Sequence, residues 1–136
     1  MSGWMLFATL VVSLGAEAPA QAGRQLVPQS VVEVIINNSR LAKFFHPEVS
    51  DRVPLVLSDN LLATGLILTK FGQPVQIIPD REIGARPHLR FVRYELKGSE
   101  ANVEIEYEVE GVHATFTLVK MSGSSWKVKG LKLVEY

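Results

Sequence analysis

Between Ala101 and Glu110 the chain alternates with a period of two. Val103, Ile105, Tyr107 and Val109 fall on one parity, and Glu104, Glu106 and Glu108 on the other. Successive side chains of a strand point to opposite faces, so this segment has to be a strand with one dry and one wet face. Its neighbours repeat the pattern. His88–Lys97, His113–Met121 and Ser125–Glu135 are strands of similar length, separated by turn residues. Gly98-Ser99 and Gly111-Val112 read as two-residue loops with glycine first, the type II′ signature, and Ser122-Gly123-Ser124 as a three-residue loop. A chain written this way is constrained to an antiparallel meander with one apolar face.

Those loops set a register. Val92 and Tyr94 are expected opposite Ile105 and Val103, and Phe116 and Leu118 opposite Tyr107 and Ile105, with Trp126 and Val128 extending the same face. Parity breaks between Val128 and the pair Leu131 and Leu133, which predicts a bulge at Gly130. On the outer face Arg93 is expected opposite Glu104, and Glu106 beside Thr117 and Lys129. Leu89, Phe91, Val119 and Met121 are expected to share that outer face with the charges.

The apolar face needs a cover. Val31, Val34, Ile35, Asn38, Leu41, Ala42 and Phe45 recur at helical spacing, while Glu33, Asn37, Arg40 and Lys43 fall between them. Ser30-Val31-Val32-Glu33 has the form of a capping box, Pro28 suits a helix entry, and Pro47 stops the helix. One helix is therefore predicted over residues 30–45. Leu55–Leu57 reads as a strand ending at Ser58-Asp59-Asn60. Gly65–Phe71 and Val75–Ile78 read as a hairpin about Gly72-Gln73-Pro74, and Pro79–Pro87 as a polar connection. The expected fold class is α+β: one amphipathic N-terminal helix packed on a curved antiparallel sheet with a four-strand C-terminal meander.

Residues 1–22 stand apart from this pattern. Trp4 to Ala16 is an uncharged apolar block followed by Ala18-Pro19-Ala20 and Ala20-Gln21-Ala22, the layout of a secretory signal peptide. The expectation is an exported protein, periplasmic or extracellular, with residues 23–136 forming one α+β domain. The apolar block falls short of the roughly 20 residues that span a bilayer, so no stable membrane span is expected once the leader is removed. The chain holds no cysteine, which excludes disulfides, thiolate metal sites and thiol catalysis. Its 14 Lys and Arg balance 14 Asp and Glu, which leaves no basic excess for nucleic acid. Hydrophobic residues make up 47%, enough to stabilise such a domain by packing alone.

A helix followed by a meander that closes on Trp126-Lys127-Val128, then Leu131, Leu133-Val134-Glu135-Tyr136, resembles the cystatin-like and NTF2-like α+β folds. The resemblance covers residues 28–136 and rests on element order and on the terminal strand. The single clear helix fits the cystatin-like layout better. Such folds host enzymes, inhibitors, immunity proteins and assembly modules, so the resemblance implies an architecture and leaves the activity open. The Asp–His pairs of the catalytic members have no counterpart motif here.

No catalytic residue, metal ligand set or cofactor fingerprint is identified. His46, His88 and His113 lack ligand spacing. The densest polar patch runs from Pro79 to His88. Asp80, Arg81, Glu82, Arg86 and His88 form a candidate binding loop in which the two guanidiniums could capture a carboxylate or phosphate. A solvated loop whose charges pair among themselves is the competing reading. His46, Glu48, Asp51 and Arg52 form a second candidate, as a rim where helix passes to sheet, against the plainer reading of a helix-stop loop bounded by Pro47 and Pro54. Glu104, Glu106 and Glu108 make an acidic stripe that a charge-paired sheet face explains, with a cation or basic-partner site as the lesser reading. Asn37-Asn38-Ser39 matches a glycosylation sequon but falls within the predicted helix.

Two functions are expected from this pattern. One is a non-enzymatic exported module that recognises a protein partner, or a second copy of itself, through the sheet face. The other is a small-ligand-binding or hydrolase- or isomerase-type domain with a pocket between helix and concave sheet.

Overall fold

The computed structural model describes residues 25–136, and the expected leader lies outside them. The chain enters beside Leu61–Ala63, where Val27 N–H donates to Leu61 C=O at 2.7 Å and Ala63 N–H to Val27 C=O at 3.0 Å. Helix α1 (Gln29–Ile36) then starts on Pro28, whose extended backbone (φ −81°, ψ 164°) serves as the cap. The capping box does not form: Ser30 lies inside the first turn, and the Glu33 carboxylate accepts from Gln29 Nε2 at 3.2 Å.

The predicted helix over 30–45 is two helices. Asn38 leaves the helical region (φ −69°, ψ 126°), and its Oδ1 accepts Arg40 N–H at 3.0 Å and Leu41 N–H at 3.2 Å. It thereby caps a second, short helix, α2 (Ser39–Ala42). Asparagine offers the backbone this alternative to continued helix, an option that hydrophobic spacing does not register. The spacing is met in part: Val31, Ile35, Leu41 and Phe45 are fully buried, but Val34, Asn38 and Ala42 are only partly so, and Val32 and Ile36, outside the expected stripe, are fully buried.

The expected hairpin in the middle of the chain forms in shortened form about a tighter turn, and its second arm continues into an unexpected parallel pairing. β1 (Val56–Ser58) pairs in parallel with β4 (Gln76–Ile78), and β2 (Thr69–Lys70) pairs with β3 (Gln73–Pro74) about a tight turn at Phe71-Gly72. A short helix, α3 (Asp80–Ile83), occupies part of the polar connection. Ser58 N–H donates to Leu89 C=O at 2.9 Å and Leu89 N–H to Val56 C=O at 2.9 Å, which joins β1 to the start of the main sheet.

That sheet is the predicted meander: β5 (Arg90–Lys97), β6 (Glu100–Tyr107), β7 (Val112–Lys120) and β8 (Trp126–Glu135), antiparallel and adjacent in chain order. Gly98 at φ +61° makes the predicted two-residue loop, and Arg93 lies opposite Glu104 as the alternation requires. In β8, Thr117 pairs with Gly130 and Leu118 with Val128, so Lys129 is the extra residue of the predicted bulge.

Two register expectations are corrected. A second bulge falls between Phe91 and Arg93, so Phe91, not Val92, faces Ile105. One inserted residue reverses parity, and Leu89 and Phe91 are therefore fully buried instead of lying on the outer face. The β6–β7 loop is a 3-10 turn (Glu108–Glu110) closed by Gly111 in the left-handed region, so Tyr107 pairs with Val112. The register slides by four residues from the expected one. An even slide keeps every face, but Glu106 now opposes His113, and Lys129 reaches Glu100 at 3.0 Å instead.

The layer between helices and sheet is filled. Phe45 stacks edge-on against Tyr107 with ring centroids 5.2 Å apart, over Phe91, Val103, Ile105 and Phe116, none more than 1% exposed. Trp126 is only half-buried at the margin of this core. Among the described residues no helix is long and apolar enough to cross a membrane.

Candidate interaction site

The 3-10 turn stands at the end of the sheet where the two candidate loops arrive. Glu108-Val109-Glu110 continues the alternation of β6, but the glycine that follows takes a left-handed conformation and closes these residues into a turn. Gly111 adopts φ +66°, its N–H donates to Glu108 C=O at 2.9 Å, and its carbonyl accepts Tyr136 N–H at 2.8 Å. A Cβ at Gly111 would sit 3.0 Å from the Tyr136 carbonyl oxygen, so the close approach of the two segments depends on glycine.

The first loop is residues 46–54. His46 takes a positive φ of 48°, turning the chain out of the helical layer. Its imidazole lies between two carboxylates, Nδ1 at 3.1 Å from Glu48 and Nε2 at 3.5 Å from Glu110. Arg52 Nη2 donates to Glu110 at 2.9 Å, and Arg52 Nε lies 3.6 Å from Asp51. The Arg52 side chain is 11% exposed, and its Nε and Nη1 are buried without a hydrogen-bond partner. Burial by itself would lower the Arg52 pKa, but the hydrogen bond to Glu110 and the surrounding negative charge hold it above its ordinary value. Glu48 is held below the usual carboxylate range by its own backbone N–H and then by His46. These four predicted residues do converge, but as a clasp that fastens the loop to Glu110.

The second loop begins at Pro79, which starts α3. Asp80 accepts from Ser58 Oγ at 2.5 Å and from Arg90 Nε at 2.9 Å. These bonds, that from Ser58 above all, hold its carboxyl below the usual range. Asp80 is thus a tether between α3, β1 and β5. Arg81 and Glu82 are exposed to solvent. Arg86 and His88 face a hollow. Together with Gly84, Ala85, Pro87, Glu108 and Val109 they line a cleft of about 230 Å³.

Donors and acceptors in the cleft are partly committed. Arg86 Nη2 donates to Gln76 Oε1 at 3.0 Å, which orients the guanidinium, and its other N–H groups have no partner among the described residues. His88 Nδ1 lies 2.7 Å from the Arg86 carbonyl, which can only accept. Nδ1 therefore carries the proton, and in the neutral ring Nε2 is an open acceptor. Across the cleft the Glu108 carboxylate has no hydrogen-bond or ion-pair partner among the described residues. Glu108 also lines a second hollow of about 230 Å³ with Glu106, Gly111, Val112 and Tyr136. Val109 and Tyr136, 44% and 85% exposed, add apolar surface beside the charges.

Val109 and Glu110 are not among the sequence candidates, and Glu108 is marked there only as part of the acidic stripe, because the alternation carries all three into a strand. The one signal for a turn there was Gly111. Among the described residues no group of three or more His, Asp or Glu side chains converges as a metal site. A scan of protein families, of curated proteins and of solved structures finds no match to this chain.

Proposed function

We propose that this chain is an exported, non-enzymatic interaction module that docks a protein partner at the sheet end formed by Glu108–Glu110, Arg86, His88 and Tyr136. The observation that carries the reading is the contrast between a filled interior and a furnished rim. The space between helices and sheet, where a ligand or reaction would need to be enclosed, is taken up by Phe45, Tyr107, Phe91 and Phe116. The cleft at the rim, about 230 Å³, falls below the ~300 Å³ at which small-molecule pockets begin, and suits one side chain of a partner. Its open Arg86, His88 and Glu108 groups set orientation, and Val109 and Tyr136 supply apolar contact. The outer sheet face supports docking less well, since Leu89 and Phe91 are withdrawn from it into the core.

The cystatin-like or NTF2-like assignment belongs to the same proposal. A helical layer packed across an antiparallel meander supports it, and the parallel β1–β4 pair is an addition to that plan. Export is proposed from the leader alone.

The test is a photo-crosslinking residue placed at Val109 and, as a control, at Thr69, in full-length protein expressed in its own host. One adduct of defined mass from Val109, absent from Thr69 and lost on Arg86→Glu, is the expected result. A small molecule retained in native mass spectra, with no adduct at either position, overturns the reading.

A further inference from the structure

The loop between β7 and β8 lies at the opposite end of β7 from the 3-10 turn, and a separate groove runs there between it and α1. Ser30, Glu33, Val34 and Asn37 form one wall, and Ser124, Ser125 and Trp126 the other, around about 450 Å³. The groove is wide and open, roomier than the cleft at the sheet end. Of the α1 wall residues Glu33 and Asn37 are exposed, while Val34, like the half-buried Trp126, lies at the core margin and presents part of its apolar surface to the groove.

The chemistry of the lining is selective. Apolar surface is supplied by one indole and one valine, too little for a wholly apolar ligand. Around it stand three serine hydroxyls, one amide and one carboxylate. Glu33 uses Oε2 to accept from Gln29, leaving Oε1 open, and Asn37 uses Oδ1 to accept from Lys70 Nζ, leaving its Nδ2 as a donor. The Trp126 Nε1 and the hydroxyls of Ser30 and Ser124 have no partner among the described residues. Lys120 Nζ sits 6.0 Å from the Trp126 ring centroid, which disfavours a second cation on that ring, and the Glu33 carboxylate offsets part of the positive charge of Lys120 and of Lys70 on Asn37, so neither sign of ligand charge is strongly favoured. A ligand with one apolar face and an edge of hydroxyls satisfies all of these groups. We propose that this groove binds a neutral saccharide, with a pyranose ring stacked on Trp126 and its hydroxyls bonded to Glu33, Asn37 and the serines.

The chain has two tryptophans, Trp4 and Trp126, so full-length Trp4→Phe protein reports on Trp126 alone. Its fluorescence is followed on titration with maltotriose, cellotriose, chitotriose and mannotriose, and with trigalacturonate as an acidic control. A saturable change with at least one neutral trisaccharide is expected. Glu33→Ala/Asn37→Ala, both changes on the exposed side of α1, should weaken that binding by at least about tenfold. Its thermal midpoint should stay near that of the parent. No saturable change below about 10 mM with any neutral sugar, a response to trigalacturonate only, or a double variant that binds like its parent each overturns the proposal.

Discussion

Arg52 donates from Nη2 to the Glu110 carboxylate at 2.9 Å, and this bond joins the loop after the helices to the turn that ends β6. The two residues are 58 positions apart in sequence (110 − 52). With Nε and Nη1 already lacking a hydrogen-bond partner, Arg52 keeps only the longer ion pair to the exposed Asp51 carboxylate, at 3.6 Å, if Glu110 is lost.

Glu110→Ala should therefore destabilise the protein by about 2 kcal/mol, since it strands a largely buried guanidinium. Glu110→Ala combined with Arg52→Met should recover part of that loss, because an apolar side chain of similar volume needs no partner. Urea denaturation of wild type, both single variants and the double variant forms the cycle. Additive losses would show that the pair does not couple.

Gly111→Ala should cost about 2 kcal/mol and Gly98→Ala about 1 kcal/mol, measured by the same denaturation. Both glycines have positive φ, but a Cβ at Gly111 meets the Tyr136 carbonyl oxygen at 3.0 Å, whereas one at Gly98 meets nothing within 4 Å. Equal costs would mean that β8 shifts freely at its end.

Phe116→Ala should cost on the order of 3–5 kcal/mol, and Trp126→Ala about half as much. Phe116 is fully buried under the helices, while Trp126 keeps part of its ring in solvent. Calorimetric unfolding of the two variants ranks them, and a larger loss at Trp126 would contradict this packing.

Asn38→Ala should remove about 1 kcal/mol, because it leaves the Arg40 and Leu41 amides without their acceptor. Asn38→Asp should retain the cap and the stability. Hydrogen exchange at those two amides reads the change directly.

Stability should fall as the medium is acidified below about pH 4, and Asp80 should contribute to that fall. Its folded pKa is depressed below the ordinary aspartate value, chiefly by Ser58 and then by Arg90. The stabilisation is thus present above the unfolded pKa and lost as pH drops through the folded one. Asp80→Asn should flatten the acid limb of a plot of urea midpoint against pH. An unchanged slope would mean that Asp80 is equally easy to protonate in both states.

The alternation of Val103, Ile105 and Tyr107 with Glu104 and Glu106, together with the glycine turns, determined the four-strand meander and its apolar face. The clash of parity between Val128 and Leu131 determined the bulge in β8. These features depend on residues next to one another in the chain, and a period of two is a local property. Helical spacing from Val31 to Phe45 likewise determined part of the side that faces the sheet, though not the break at Asn38, where a side-chain hydrogen bond outcompeted the next helical turn.

Other features were decided by tertiary structure alone. Whether Phe91 faces in or out depends on a single extra residue at Val92, and burying a phenylalanine is worth roughly 1.5–3 kcal/mol, enough to favour the bulged register. The parallel pairing of β1 with β4 and the slide of β7 along β6 depend on which surfaces the helices and loops leave open. The candidate site belongs to this second group. His46, Arg52, Arg86 and His88 could be marked in the sequence, but Glu108 and Glu110 read there as strand residues. In the fold they stand in the turn closed by Gly111, which packs against Tyr136 where both loops meet, and contacts between residues so far apart leave no periodic trace in the chain.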